Sequence, residues 1–502
     1  MKTKYRELLI IVLFILILAS NVFSRELSDL DELWNYNFAR NVANGLKPYE
    51  DFNIILTPLI PLLCGILLKV FGEQLIVMRI LCVLLCSMIL FIVYKILREL
   101  KINKYFSILC TLLLYCIYYQ YFCIDYNFFV LLIILLTIFL ELKKNAKTNN
   151  LFEVNAKYDM LLGILVGTSI LIKQTTGIFF SLIFIFYKIL TIPKNLKVKD
   201  VLKILFIRSI GVIIPVIILI LYLRITNTWN SFLDYAIYGI GTFNNSISYL
   251  NLIRNENILI RILSKLIPIV AIYMYFKTIV IEQKKEEDTN LFILFCFSIA
   301  SFIVVFPISD NIHFLIGSMP FIISLIYIIY LKLKEIIIKK EMQMFIKIFV
   351  KTFTKMFIFL IIMVSLFIIK NYLLEKQLSS INHYKYIPSN LDNQITIIDD
   401  YIKTQHACGK GVYILDATAC IYMIPIDIYN KNYDMFNKGN LGAKGEEGQI
   451  EKLKNENNTI VLILNDNYRR NWQNPEKVRA YIINDWNKIG EILHFDIYEK
   501  NS

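Results

Sequence analysis

Three carboxylates, Asp29, Asp31 and Glu32, lie just beyond the first apolar stretch, in the run SRELSDLDELWNYNFARNVANGLKPYEDFN. Charges crowded at the mouth of apolar segments are costly near lipid, and where they are kept they usually mark a site. A carboxylate there can take a proton from a hydroxyl or hold a cation. Asp51 follows on the same loop and adds a fourth group of the same kind. The competing reading is a solvated loop with ordinary surface carboxylates. Confinement of the loop between apolar segments favours acid/base or metal chemistry at a membrane surface.

Three more groups carry chemistry. In ILIKQTTGIF, Lys173, Gln174 and Thr175 form a turn between two apolar runs, where an ammonium beside amide and hydroxyl donors suits a phosphate. A lysine snorkelling to the interface is the plainer alternative. In FPISDNIHFLIGSMP, Asp310 and His313 stand three apart. Such a histidine can be oriented by the carboxylate, bind a metal or contact a phosphate, or the pair can be a capping Asp and an interfacial His. Asp125, in YYQYFCIDYNFF, reads equally well as a helix N-cap. Tyrosine-rich stretches such as YCIYYQYF are read as interfacial belts. No P-loop, G-x-S-x-G, H-E-x-x-H or zinc-type spacing occurs in the chain, so hydrolysis of a soluble nucleotide has no support.

The elements that position these groups are membrane helices. Of 502 residues 57% are apolar and mean hydropathy is +0.57, more apolar surface than a soluble domain of this size can bury. Apolar runs long enough to cross a hydrocarbon core of about 30 Å recur along the chain. They place spans at roughly 7–24, 74–98, 104–121, 124–142, 158–173, 174–192, 203–224, 258–280, 289–306, 313–331 and 353–370, about eleven in all. The first resembles a signal peptide and is read as a retained helix. The net charge of +13 is carried largely by lysines in short loops, which orient spans and do not bind nucleic acid.

Those lysines set the topology. Lys2, Lys4 and Arg6 put the N-terminus inside, and the loops carrying Lys95 to Lys104, Lys143 to Lys147, Lys194 to Lys199, Lys284 and Lys285, and Lys332 to Lys355 follow on the same side. Residues 54–71, broken by Pro58 and Pro61, are therefore read as a juxtamembrane or re-entrant helix within an outer loop, 24–73. All four polar groups then fall on the outer face of a bacterial cytoplasmic membrane, and so does the C-terminal tail. The division expected is a transmembrane domain over 1–370 and a small extracytoplasmic α/β domain over 371–502. In the latter, 411–417, 459–465 and 489–499 read as strands, and 391–405, 446–455 and 475–487 as helices. Cys64, Cys82, Cys86, Cys110, Cys116, Cys123 and Cys296 read as core filling, and pairing of Cys408 with Cys420 stays open.

The string DELWNYNFARNVANGLKPYEDFNIILTPLIPLL…VFG, the LIKQTTG turn and the P-x-x-D-x-x-H loop resemble the GT-C integral-membrane glycosyltransferases, the group of protein O-mannosyltransferases and lipid A aminoarabinose transferases. The likeness covers roughly residues 1–370. Trp34–Asn35 and Leu56-Thr57-Pro58 depart from the usual aromatic and K-P-P. The resemblance implies a polyprenyl-phosphate sugar donor, a glycan, lipid or protein acceptor on the outer face, and inversion at the anomeric carbon. On that footing Asp31, with Glu32 and Asp51, would be catalytic, Asp31 as the base for the acceptor hydroxyl. Lys173, Gln174, Asp310 and His313 would hold the donor phosphate, and a divalent cation at the carboxylates stays open. A flippase of lipid-linked saccharides is the first alternative. It would place charges at mid-membrane, whereas the ionisable groups here are read as lying at one face. A polysaccharide polymerase or ligase is the second.

Overall fold

The computed structural model describes residues 2–25, 30–148, 155–191, 198–242, 246–280, 286–336, 340–375, 389–416, 419–423, 441–468 and 475–500. Asp29 lies outside them, as does the Cys420 side chain. In chain order the helices are α1 (Lys2–Ser24), α2 (Leu30–Ala43), α3 (Leu59–Phe71), α4 (Leu75–Glu99), α5 (Lys104–Tyr118) and α6 (Tyr126–Thr148). Then come α7 (Ala156–Ile172), α8 (Gln174–Phe186), α9 (Val198–Ile225), the short α10 (Trp229–Phe232) and α11 (Tyr249–Ile253), and α12 (Ile258–Tyr275). The last are α13 (Glu286–Phe302), α14 (Asn311–Ile336), α15 (Lys340–Glu375), α16 (Ser389–Ala407), α17 (Gly445–Asn455) and α18 (Glu476–Asp485).

Among the described residues, eight helices are long and apolar enough to cross a membrane: α1, α4, α6, α9, α12, α13, α14 and α15, some with small trims or extensions. The other expected spans correspond to α5, α7 and α8, which are shorter. Residues 54–71 contain the 13-residue α3, too short to span. The protein is a polytopic helical membrane protein with a small α/β domain at its C-terminus.

Contacts divide the chain into two units, one of residues 1–24, 79–218 and 246–375, the other of 25–78, 219–245 and 376–502. In the first unit, glycines decide how closely helices approach. Gly163 and Gly167 of α7 meet the backbone of α9 at Gly211 and Val212, where a Cβ would stand 2.5–3.2 Å from main-chain atoms. Small residues four apart let two helix backbones touch where lipid supplies no hydrophobic drive for packing.

In the second unit, α2 and α3 pack side by side, with Gly65 of α3 pressed against Val42 and Ala39. The C-terminal strands β1 (Gly411–Leu415), β2 (Thr459–Leu464), β3 (Trp486–Ile492) and β4 (Phe495–Lys500) form one sheet in the order β1-β2-β4-β3. β1 and β2 are parallel and the other pairs antiparallel. Val461, Ile463, Val478, Ile482 and Trp486 lie in the domain's core. The sequence predicted one strand over 489–499 and a helix to 487. Instead the helix stops at Asp485, and the strand is a hairpin turning at Leu493, whose φ is +52°. An apolar run long enough for one strand holds two when a turn residue interrupts it.

Candidate functional site

The acidic pair sits in the second unit. Asp31 and Glu32 occupy the first turn of α2, where unpaired N–H groups and the helix dipole favour negative charge. A glycine closes the helix: Gly45 takes φ +83°, its N–H donates to Val42 O at 3.0 Å, and Leu46 N–H donates to Asn41 O at 3.0 Å. Glu73 holds the helix from outside, accepting from Asn44 Nδ2 at 2.8 Å and facing Arg40 Nε at 3.7 Å, while its carbonyl accepts from Tyr36 Oη at 2.8 Å. Asn35 shares a face with Asp31, its Nδ2 donating to the Asp31 carbonyl at 2.8 Å. Glu32 is wholly buried, whereas Asp31 keeps partial access to solvent.

Asp51 is engaged in local structure. Its carboxylate accepts from Lys47 N–H at 2.8 Å, and its own N–H donates to Lys47 O at 2.9 Å, closing a turn. Tyr49, in the same turn, donates to Leu56 O at 2.7 Å and packs edge-on against Phe232 at 5.3 Å. Burial pushes its phenol well above the ordinary range, so it remains a neutral donor.

The basic groups sit in the first unit. Lys173 is the single extended residue between α7 and α8, φ −147°, ψ 106°. Gly177 lets α8 fold back on Ile170 and Ser169, where a Cβ would meet backbone at 2.5 Å. The Lys173 ammonium donates to Asn127 Oδ1 at 2.9 Å and lies 5.0 Å from the centre of the Tyr126 ring. Asn127 is in turn held by Asp125, which caps α6 by accepting from the Asn127 N–H and lies 3.5 Å from its side-chain amide. Asp125 is thus both the N-cap and part of a chain Asp125–Asn127–Lys173. Sequence reading missed Asn127 and Tyr126, because an amide and a phenol inside an aromatic run carry no signal of their own. Gln174 is buried beside Lys173.

Asp310 and His313 form the expected pair. Asp310 Oδ1 accepts from the His313 N–H at 2.8 Å and stands 2.8 Å from Nδ1, so one carboxylate both caps α14 and fixes the imidazole. The loop before it is strapped by residues 247–257. Ile247 bonds both Pro307 O, at 3.1 Å, and Ser309 N–H, at 3.0 Å, and Asn255 Nδ2 donates to Asn311 Oδ1 at 2.7 Å. Among the described residues no three His, Cys, Asp or Glu side chains converge as a metal-binding group.

The reading that ionisable groups lie at one face needs correction. Glu141, Asp159, Lys188 and Arg208 are buried inside the first unit. The Arg208 guanidinium contacts Glu141 Oε1 at 2.6 Å, Asp159 Oδ1 at 2.8 and 3.0 Å, and Phe184 O at 2.8 Å. Lys144 reaches Asp159 at 3.2 Å and Lys188 reaches Glu141 at 3.9 Å. The Gly163–Gly211 crossing brings Asp159 and Arg208, one turn away on their own helices, side by side. Glu141 is 14 residues along α6 from Asn127, about 21 Å at 1.5 Å per residue, so this network lies toward the opposite end of the helix.

No protein-family profile and no curated protein matches this chain. Solved structures do. ArnT from Cupriavidus metallidurans bound to undecaprenyl phosphate aligns with TM-score 0.58 at 11% identity, over 99% of this chain and 98% of that one. The same protein in the apo state aligns with TM-score 0.56 over the same shares. The likeness takes in the C-terminal domain as well as residues 1–370, so the fold is like that of ArnT over nearly the whole chain.

Proposed function

We propose that this protein is an inverting glycosyltransferase that moves a sugar from a polyprenyl-phosphate donor to an acceptor hydroxyl on the outer face of the cytoplasmic membrane. The observation that carries the reading is the end-to-end likeness of fold to a protein crystallised with undecaprenyl phosphate. The residues of this chain supply a consistent chemistry. Lys173, oriented by Asn127 and Tyr126, provides a cation for the donor phosphate, and His313, held by Asp310, adds an imidazole contact. A phosphate leaving group stabilised in this way departs without needing a proton. Gln174, next to Lys173 in the chain, is proposed to contact the same phosphate. Asp31 is the base, since it keeps solvent access while Glu32 is closed off. Glu32 and Asp51 then position, the latter by holding the 47–51 turn.

The N-terminus is inside and the C-terminal domain outside, as the lysine loops require. Labelling of a cysteine placed at residue 450 only after cell lysis would overturn that orientation. For the reaction, purified protein is incubated with a panel of hexosyl and pentosyl polyprenyl phosphates, and release of polyprenyl phosphate is followed. Release from one donor class is expected. Inertness toward every donor, in protein that binds polyprenyl phosphate, would count against transfer.

A further inference from the structure

The C-terminal domain carries a polar cluster with no part in the roles above. Three adjacent strands end on one edge of the sheet. The register pairs Leu415 with Ile463 and Leu464 with Phe495. Asp416 after β1, Asn465 and Asp466 after β2 and His494 before β4 therefore share that edge. In open α/β sheets, ligands bind outside the carboxyl ends of the parallel strands. Here the Asn465 N–H donates to His494 O at 3.0 Å, and Tyr422 Oη lies 3.3 Å from His494 Nε2. Arg479 fixes Asp466 at 2.9 Å while donating to Leu464 O at 2.8 Å. The Asn465 side-chain oxygen is buried and accepts no hydrogen bond among the described residues. Tyr468, 61% exposed, lies with its ring 5.5 Å from that of His494.

The same edge faces the loops of its own unit. The 3-10 turn Ala419–Met423, which contains Tyr422, packs on α2, the helix of Asp31. The segment leading into α17 is fastened to residues 234–242: Asp234 accepts from Ala443 N–H at 3.0 Å, and Thr242 Oγ1 donates to Gly442 O at 3.1 Å. An exposed aromatic ring beside carboxylate, imidazole and amide groups is a surface suited to a sugar. The ring stacks on the apolar face of a pyranose, and the polar groups exchange hydrogen bonds with its hydroxyls.

We propose that this edge binds the hydroxyl-rich sugar portion of the acceptor, with Tyr468 as the stacking platform and Asp416, Asn465 and His494 as hydrogen-bonding partners. The assignment of the sugar to the acceptor rests on the glycosyltransferase reading; binding itself does not.

The test uses the full chain in phosphatidylcholine nanodiscs and a panel of neutral methyl glycosides of hexoses and N-acetylhexosamines, followed by saturation-transfer NMR without any donor. At least one glycoside should receive saturation, and Tyr468→Ala and Asp416→Asn should each weaken its binding tenfold or more. Because Tyr468 is largely exposed, its truncation tests the surface even where Asp416→Asn disturbs the domain. Saturation of no glycoside, or wild-type binding by Tyr468→Ala, overturns the site. Displacement of the glycoside by excess polyprenyl phosphate overturns its assignment to the acceptor. Failure of the glycosyltransferase reading would be seen separately, as absence of polyprenyl phosphate release from every donor.

Discussion

The helical unit handles charge in opposite ways at its two ends. Around Arg208, two carboxylates and three cations are closed into one buried network, with each named ion pair within 3.9 Å. At the Lys173 end each basic side chain has an orienting contact, Asn127 and Tyr126 for the lysine and Asp310 for His313, and both keep partial exposure. Exposure is what separates them. A charge paired and closed off inside the fold is locked in place, whereas a charge that is oriented by a neighbour and still reaches solvent can meet a ligand. Ionisable groups inside a membrane protein thus fall into two classes, and position along the span alone does not sort them.

The largest effect tests the first class. Arg208→Met leaves Glu141 and Asp159 buried with only the lysines near them, and breaking such a network by removing one partner costs about 3–5 kcal/mol. The thermal midpoint of the purified protein should fall sharply. Adding Glu141→Gln and Asp159→Asn should restore much of it, because the uncompensated charges are then gone. A stable Arg208→Met protein that has lost activity would instead make the network functional and would revive the flippase reading.

The second class is tested at Asp31. Asp31→Asn keeps the size and hydrogen bonding at the start of α2 but removes basicity, so transfer should drop about 10²-fold or more. Stability and polyprenyl phosphate binding should hardly move. Asp51→Asn should act mainly through the 47–51 turn and be milder. Near-normal turnover in Asp31→Asn beside an inactive Glu32→Gln would reassign the base.

Legibility divides along the same line. The end of α2 at Gly45, the Lys173 turn and the Asp310–His313 pair are all settled within a few residues of sequence, and each reads directly from spacing. Groups assembled over long separations do not. Lys173 meets Asn127 from 46 positions away, and Arg208 meets Glu141 from 67. Lys144, which joins the buried network, reads from sequence as an ordinary loop charge. One signal was available: Asp159 stands four residues before the G-x-x-x-G of α7, and Arg208 three before Gly211. Charges so near a close-packing motif are placed to face another helix. The hairpin at Leu493 was hidden for a different reason, since its turn lacks the Gly or Asn that usually marks one.

Lys173→Met should be intermediate. Loss of a charge-assisted contact to the donor phosphate is worth about 1.5–3 kcal/mol, so donor KM should rise or kcat fall by roughly 10- to 100-fold. Lys173→Arg should recover part of this, limited by the fit against Asn127 and Tyr126. Unchanged donor dependence in Lys173→Met would return the residue to an interfacial lysine, and the contrast with Arg208 would lose its functional side.

The smallest effect comes from a carboxyl that belongs to neither class. Asp399 of α16 is buried, and its Oδ1 has no hydrogen-bond partner among the described residues. Burial raises its pKa from 3.8 to about 7, opposed by Lys403 and assisted by Asp400. A carboxyl raised on folding holds a proton that the unfolded chain has released. Its contribution is therefore fully favourable below about pH 4 and is lost as the pH rises through about 7. The C-terminal domain should weaken over that window, read as a falling urea midpoint in the tryptophan fluorescence of the full chain. Asp399→Asn should flatten the profile and be the more stable form at pH 8. If the wild-type midpoint is level from pH 4 to 8, Asp399 has found a compensating partner, and buried charge in this domain follows the rule of the Arg208 network.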